Sequence, residues 1–224
     1  MYKKILFTTL FGIIFTAPVM AYEEPKYQVL LKSDDFEVRQ YAPMLIAEVT
    51  VEGDMDQASN KGFRLIADYI FGNNQVAGKS ESEKISMTAP VTIEPVSSKI
   101  EMTAPVTVEP IGPESTLQSS RKWRVNFVMP SQYTLTNIPK PNNPQVVLRQ
   151  IPEKYFVIYN YSGFNTQSRV QSKTDETLAW IKQQGLKQIG TPQLSRYDPP
   201  WTLPMFRRNE IMVEINKPAS TPLR

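Results

Sequence analysis

The chain has no histidine and no cysteine among its 224 residues. Without them there is no Ser-His-Asp triad, no thiol nucleophile, no His/Cys zinc site and no disulfide. Apolar packing must therefore hold the fold, and the general bases left are carboxylates, lysine and tyrosine. Charge of one sign is also missing. Twenty-five Lys and Arg against 22 Asp and Glu give a formal charge of +3, too little for broad attraction to nucleic acid or an anionic membrane. Long apolar runs are confined to the start, where Lys3 and Lys4 precede Ile5 to Phe15 and Val19-Met20-Ala21 precedes Tyr22-Glu23-Glu24. That order reads as a secretory signal over residues 1–21 with a V-x-A cleavage site. Thr8, Thr9, Gly12, Thr16 and Pro18 dilute the run, which is short for a membrane span of about 20 apolar residues. The expected product is exported, periplasmic or secreted, and free of the membrane once the signal is removed. Removal takes two lysines and leaves a formal charge of +1.

What is present is organised by repetition. Lys84 to Pro95 (K-I-S-M-T-A-P-V-T-I-E-P) is followed by Lys99 to Pro110 (K-I-E-M-T-A-P-V-T-V-E-P). Each copy alternates apolar and polar residues, the period of a strand, with Pro90 or Pro105 demanding an edge or an irregular entry. Together they predict a hairpin-like pair. A longer repeat has an offset of 110: Arg39-Gln40 corresponds to Arg149-Gln150 and Gly53 to Gly163. Around these points the order strand, strand, glycine, helix recurs. In the first unit the strands are Phe36–Tyr41 and Leu45–Val51. A helix from Met55 to Phe71 follows, capped by Asp54 and closed by Gly72. In the second, Val147–Ile151 and Phe156–Tyr161 precede a helix from about Ser168 to Gln184. Trp123–Met129 closes the first unit; Gln193–Tyr197 and Glu210–Ile215 close the second. Two β-β-α-β-β units result, over about 36–130 and 145–215. They are expected to pack as one α+β domain spanning 22–216, with a frayed tail at 217–224.

The two predicted helices differ. On a wheel, the first spreads Ala58, Gly62, Phe63, Leu65, Ile66, Ala67, Tyr69, Ile70 and Phe71 over about 240°, whereas a helix on a sheet needs a stripe of roughly 100° or more. The surplus around Phe63, Ala67 and Phe71 calls for cover by the loop from Asn73 to Lys84, by a partner protein or by an apolar ligand. Lys61 and Arg64 border it and are suited to carboxylates. Gly72 to Ser80 looks like a phosphate loop but has five residues between its glycines where the motif has four, and it follows a helix instead of opening one.

Several separated phrases resemble the SOUL haem-binding family: Phe36 to Tyr41, the I-x-M-T-A-P-V run, Trp123-x-Val-x-Phe-x-Met-Pro130, Tyr197-Asp198-Pro199-Pro200 and Arg207-Arg208-Asn209-Glu210. The resemblance extends from about Tyr27 to Ile215, and the tandem M-T-A-P-V form looks like the bacterial branch. It implies a distorted eight-stranded antiparallel β-barrel built from two β-β-α-β-β repeats and flanked by two helices. It also implies non-catalytic binding of haem or another tetrapyrrole in an apolar groove beside the first helix, as carrier or buffer. Lys61, Phe63, Arg64, Ala67, Ile70, Phe71, Met87 and Met102 are the expected binding residues. No histidine or cysteine is available to iron, so an axial ligand would be tyrosine, methionine or lysine, or the ring would be held by burial and ion pairs alone. For Arg207 to Glu210 the residue types favour anchoring of the last strand over contact with a ligand. The alternatives are a general apolar small-molecule or effector module, such as similar two-repeat folds in bacterial regulators form, and a protein-interaction module.

Overall fold

A computed structural model describes residues 22–96, 117 and 120–218. The strands are β1 (Tyr27–Ser33), β2 (Phe36–Tyr41), β3 (Met44–Glu52), β4 (Asn74–Gln75), β5 (Val91–Pro95), β6 (Lys122–Val128), β7 (Lys140–Pro141), β8 (Val147–Ile151), β9 (Lys154–Tyr161), β10 (Gln193–Arg196) and β11 (Asn209–Ile215). The helices are α1 (Met55–Ile70) and α2 (Gln167–Gln183), with a short 3-10 turn at Pro204–Phe206. Nine strands form one antiparallel sheet in the order β1-β2-β9-β11-β10-β5-β6-β3-β8, while β4 and β7 pair separately. Exchanging β2 with β8, β3 with β9, β5 with β10 and β6 with β11 reverses this order onto itself, apart from β1. The pair β10–β5 lies at its centre.

The expected eight-stranded barrel needs correction. Nine strands curl into a half-barrel, and among the described residues no ladder joins its two ends. The ninth strand is β1, which pairs with β2 from Tyr27↔Tyr41 to Ser33↔Phe36. It forms one end of the sheet, and β8 forms the other. The doubled phrase also forms less strand than its alternation suggests where it is described. Its first copy is a strand only over Val91–Pro95, after Pro90, whose missing N–H ends the ladder. Both sides of that strand are taken, by β6 and by β10. The second copy, with Met102, lies outside the described residues.

Alternation along the strands sets the two faces. On β11, Ile211, Val213 and Ile215 enter the main core, which gathers Val38, Val125, Val157, Trp123, Phe127, Ile66 and Trp180 between the sheet and the helices. Helix α1 packs against β3, β5 and β6, and α2 against β9 and β11. Asp54 accepts the Gln57 amide at 2.8 Å and starts α1. Its closest approach to the sheet is at Gly62, where an added Cβ would sit 2.6 Å from Val125 Cβ.

The other face of β2, β9 and β11 carries a small apolar cluster, Tyr41, Phe156, Ile158 and Met212. Beside it lies a buried ion network. Arg39 Nη1 is 3.0 Å from Glu210 Oε1, and Arg39 Nη2 is 2.6 Å from Glu37 Oε2. Arg208 Nη2 reaches Glu210 Oε1 at 2.8 Å, and the Tyr197 hydroxyl donates to Glu210 Oε2 at 2.7 Å. Burial opposes the charge on Arg39, but Glu210, Tyr41 and Glu37 outweigh it and hold the guanidinium above its ordinary pKa. The Tyr41, Tyr69, Tyr161 and Tyr197 phenols are all pushed up, by burial first. The folded chain thus keeps phenolic protons that the unfolded chain releases above about pH 10. Stability is expected to be complete below that pH and to fall as pH rises past it. Alkaline absorbance and urea melts followed together check this: four tyrosines titrating normally while the fold persists would refute it.

Candidate functional site

The first turns of α1 present Asp56, Ser59, Asn60 and Phe63 at i, i+3, i+4 and i+7, which is one stripe of a helix. That stripe forms one wall of a groove of about 560 Å³. This lies within the range of small-molecule sites, roughly 300–1,000 Å³. Met87, Thr88 and Ala89 lead into its floor, made by Val91 and Ile93 of β5. The far wall comes from the other half of the chain: Phe164 to Thr166 before α2, Arg196 at the end of β10, the segment Tyr197 to Trp201, Arg207 and Asn209. Tyr22 closes one side.

The far wall is built by hydrogen bonds in a region too short of regular structure to be held otherwise. Tyr161 donates to Asn165 Oδ1 at 2.6 Å, Asn165 Nδ2 to Asn209 Oδ1 at 2.7 Å, and Asn209 Nδ2 to the Gly163 carbonyl at 3.1 Å. Gly163, at φ 105°, turns its amide onto the Pro204 carbonyl at 2.8 Å. The loop between β10 and β11 is staked by its arginines. Arg207 donates to the carbonyls of Thr202 (2.7 Å) and Pro200 (2.5 Å), and Asp198 Oδ2 accepts the Arg208 amide at 2.6 Å. Anchoring is thus the work of Arg207 and Arg208, as their residue types suggest, although Arg207 also borders the groove. So held, the loop leaves Trp201 80 % exposed, with Leu203, Met205 and Phe206 also exposed.

Of the expected binding residues, the structure brings together Phe63 and Met87. Ala67 and Ile70 are buried, and the segment after α1 returns to its end, where the Ile85 amide donates to the Ile70 carbonyl at 2.8 Å. Asn74 ties that segment down by donating to the Tyr69 and Glu83 carbonyls, each at 2.8 Å. Tyr69 donates to the Pro139 carbonyl at 2.8 Å. The returning segment thus covers the end of α1 around Ile70, while Phe71 stays exposed. Lys61 and Arg64 are exposed and do not line the groove. Phe71 is 57 % exposed at the far end of α1, also outside it. Sequence reasoning missed Trp201, Phe164, Arg196 and Asp56. Trp201 carried a signal, a large aromatic following two prolines in a loop.

Two cations line the groove. Arg196 Nη2 lies 3.3 Å from Asp56 Oδ1, while Arg196 Nε is buried without a hydrogen-bond partner among the described residues. Arg207 stands 5.6 Å from the Phe164 ring centroid. Tyr197 is unsuited to act as a tyrosinate, because burial and then the Glu210 carboxylate raise its pKa and its hydroxyl is already donated. No cluster of three or more His, Cys, Asp or Glu suited to a metal ion occurs among the described residues.

The sequence profile described as SOUL heme-binding protein matches residues 22–98 and 94–214. The chain belongs to the SOUL family. Solved structures with the same fold include the C-terminal domain of EcmrR. It has a TM-score of 0.55 and 13 % identity, with 85 % of this chain and 98 % of that one covered. A protein described as a hydrolase from Listeria innocua aligns with a TM-score of 0.51 and 13 % identity, over 84 % of this SOUL chain and 94 % of its own. At such identities the likeness extends to the fold alone. No curated relative matches the sequence. The SOUL assignment makes ligand binding the role to which the groove must answer.

Proposed function

We propose that this SOUL protein binds haem or another tetrapyrrole in the groove between the first turns of α1 and the loop leading to β11, as an exported carrier or buffer. The observation that carries the reading is the groove itself. Phe63, Met87, Phe164 and Trp201 offer apolar surface to a flat ring, and Arg196 offers a cation to an acidic group carried on it. Burial of the ring, at about 25 cal/mol per Å² of apolar surface, supplies the main attraction. Among the groove residues the Met87 thioether is the soft donor suited to haem iron. Haem would bring a Soret band and a redox-active iron. The role is holding and releasing, without catalysis: the carboxylates on the groove, Asp56 and Asp198, are engaged by Arg196 and by the Arg208 amide.

The test is a titration of the mature chain with haemin and with iron-free protoporphyrin. Saturable binding of both is expected, with little discrimination between them, since burial dominates. Phe63→Ser and Trp201→Ser should each weaken binding about tenfold or more, the loss of one well-buried apolar contact. Phe71→Ser, outside the groove, should leave it unchanged. Absence of saturable binding of either compound removes the proposal. A second reading, a general apolar small-molecule module, draws on Asp56 at the rim, which suits a cationic aromatic ligand. A cationic compound that raises the melting temperature where haemin does not would favour it.

A further inference from the structure

We propose that the groove selects ligands bearing a carboxylate, and that Asp56 is an internal counter-ion which such a ligand displaces from Arg196. The inference rests on the preceding reading for the location of the ligand and adds the chemistry that the site prefers.

Arg196, Arg207 and Arg208 stand on β10 and the loop that follows it, and the last two are committed to protein groups. Arg207 is spent on the carbonyls of Thr202 and Pro200, and Arg208 on Glu210 and Glu24. Arg196 differs. It holds Asp56 through one nitrogen at 3.3 Å, its Nε has no partner among the described residues, and its side chain lines the groove. A guanidinium presents its donors as a planar fork, and a carboxylate is the group that matches two of them at once. Asp56 does not make that match. Its side chain is 74 % exposed, and a pair so open to water contributes little. A carboxylate carried in on an apolar body beneath Phe63 and Trp201 would meet Arg196 in a drier setting, where the same attraction is stronger. The exchange leaves Asp56 free in water at little cost and gives the guanidinium the two-point acceptor that Asp56 does not supply.

The experiment compares protoporphyrin IX, a diacid, with its dimethyl ester in one detergent-containing buffer. The unmodified protein should bind the diacid about tenfold tighter than the diester. Arg196→Gln should erase that preference and leave diester affinity as it was, with an unchanged thermal melt serving as the check on folding. Asp56→Asn removes the competitor from an exposed position and should tighten diacid binding severalfold without moving the diester. Equal affinity of the unmodified protein for both compounds, a preference that survives Arg196→Gln, or weaker diacid binding in Asp56→Asn would each overturn the inference. Equal affinity would leave the tetrapyrrole reading standing, whereas failure of both porphyrins to bind would remove that reading and this one with it.

Discussion

Replacing Arg39 by alanine is expected to cost about 3–5 kcal/mol of stability, the range for removing one partner of a buried ion pair. Arg39 is 2 % exposed, and Glu210, to which it is paired, is fully buried. Without Arg39, the Glu210 carboxylate retains Arg208 and Tyr197, and Glu37 retains Lys32 at 2.9 Å. Neither set restores the bridge between β2 and β11, which are separated by β9 in the sheet. Glu210→Ala should cost a similar amount, because Arg39 and Arg208 both lose their shared buried carboxylate and keep only Glu37 and Glu24. The double variant should lose clearly less than the sum of the two, since each single change already abolishes the same contact. Urea midpoints of the three variants decide the matter. Additive losses, or a loss under about 1 kcal/mol for Arg39→Ala, would show that the network holds little of the fold.

Gly62→Ala is expected to destabilise, although alanine is the better helix former by about 1 kcal/mol. The added methyl would lie 2.6 Å from both Cβ and Cγ2 of Val125, and overpacking of this kind costs about 1–3 kcal/mol. The steric term should win because Val125 is fully buried on a central strand and has nowhere to retreat. The sign offers a sharper test than the size. In a Val125→Gly background the whole clashing side chain is gone, so the same Gly62→Ala change should become neutral or stabilising. The groove should register the displacement too, because Ser59 and Phe63 ride on the same turns of α1. Destabilisation that persists unchanged in the Val125→Gly background would mean that the glycine is required for another reason.

Much of the fold could be read in the residues because local signals agreed with one another. Asp54 caps α1, the Arg-Gln pairs recur at an offset of 110, and β2 and β8 fall where alternation places them. β1 escaped notice because most of Tyr27–Ser33 is exposed and its register shifts between Val29 and Leu31, so no clean alternation survives. The first M-T-A-P-V run overstated its strand, since Pro90 defers pairing until Val91. The groove runs along the first turns of α1, whereas Lys61, Arg64, Ala67, Ile70 and Phe71 do not line it. Helical periodicity measures how much apolar surface a helix has, but which part stays uncovered is a tertiary outcome. Here the Asn74 bonds and the Ile85 amide seal the end near Ile70. The stripe left open is mostly polar, Asp56, Ser59 and Asn60, and drew no attention on an apolar wheel. Trp201 and Arg196 reach the groove from the other half of the chain, a proximity that no local pattern encodes.

The symmetric strand order bears on stoichiometry. The groove lies over β5 and β10, the central pair of the sheet, and the first turns of α1 and the segment preceding α2 border it. A feature on the axis of a doubled structure is not itself doubled, so the two halves jointly make one groove and a titration should end at one equivalent per chain. Each half supplies walls that the other lacks, so neither can bind alone, and a ligand seated there would act as a clasp between them.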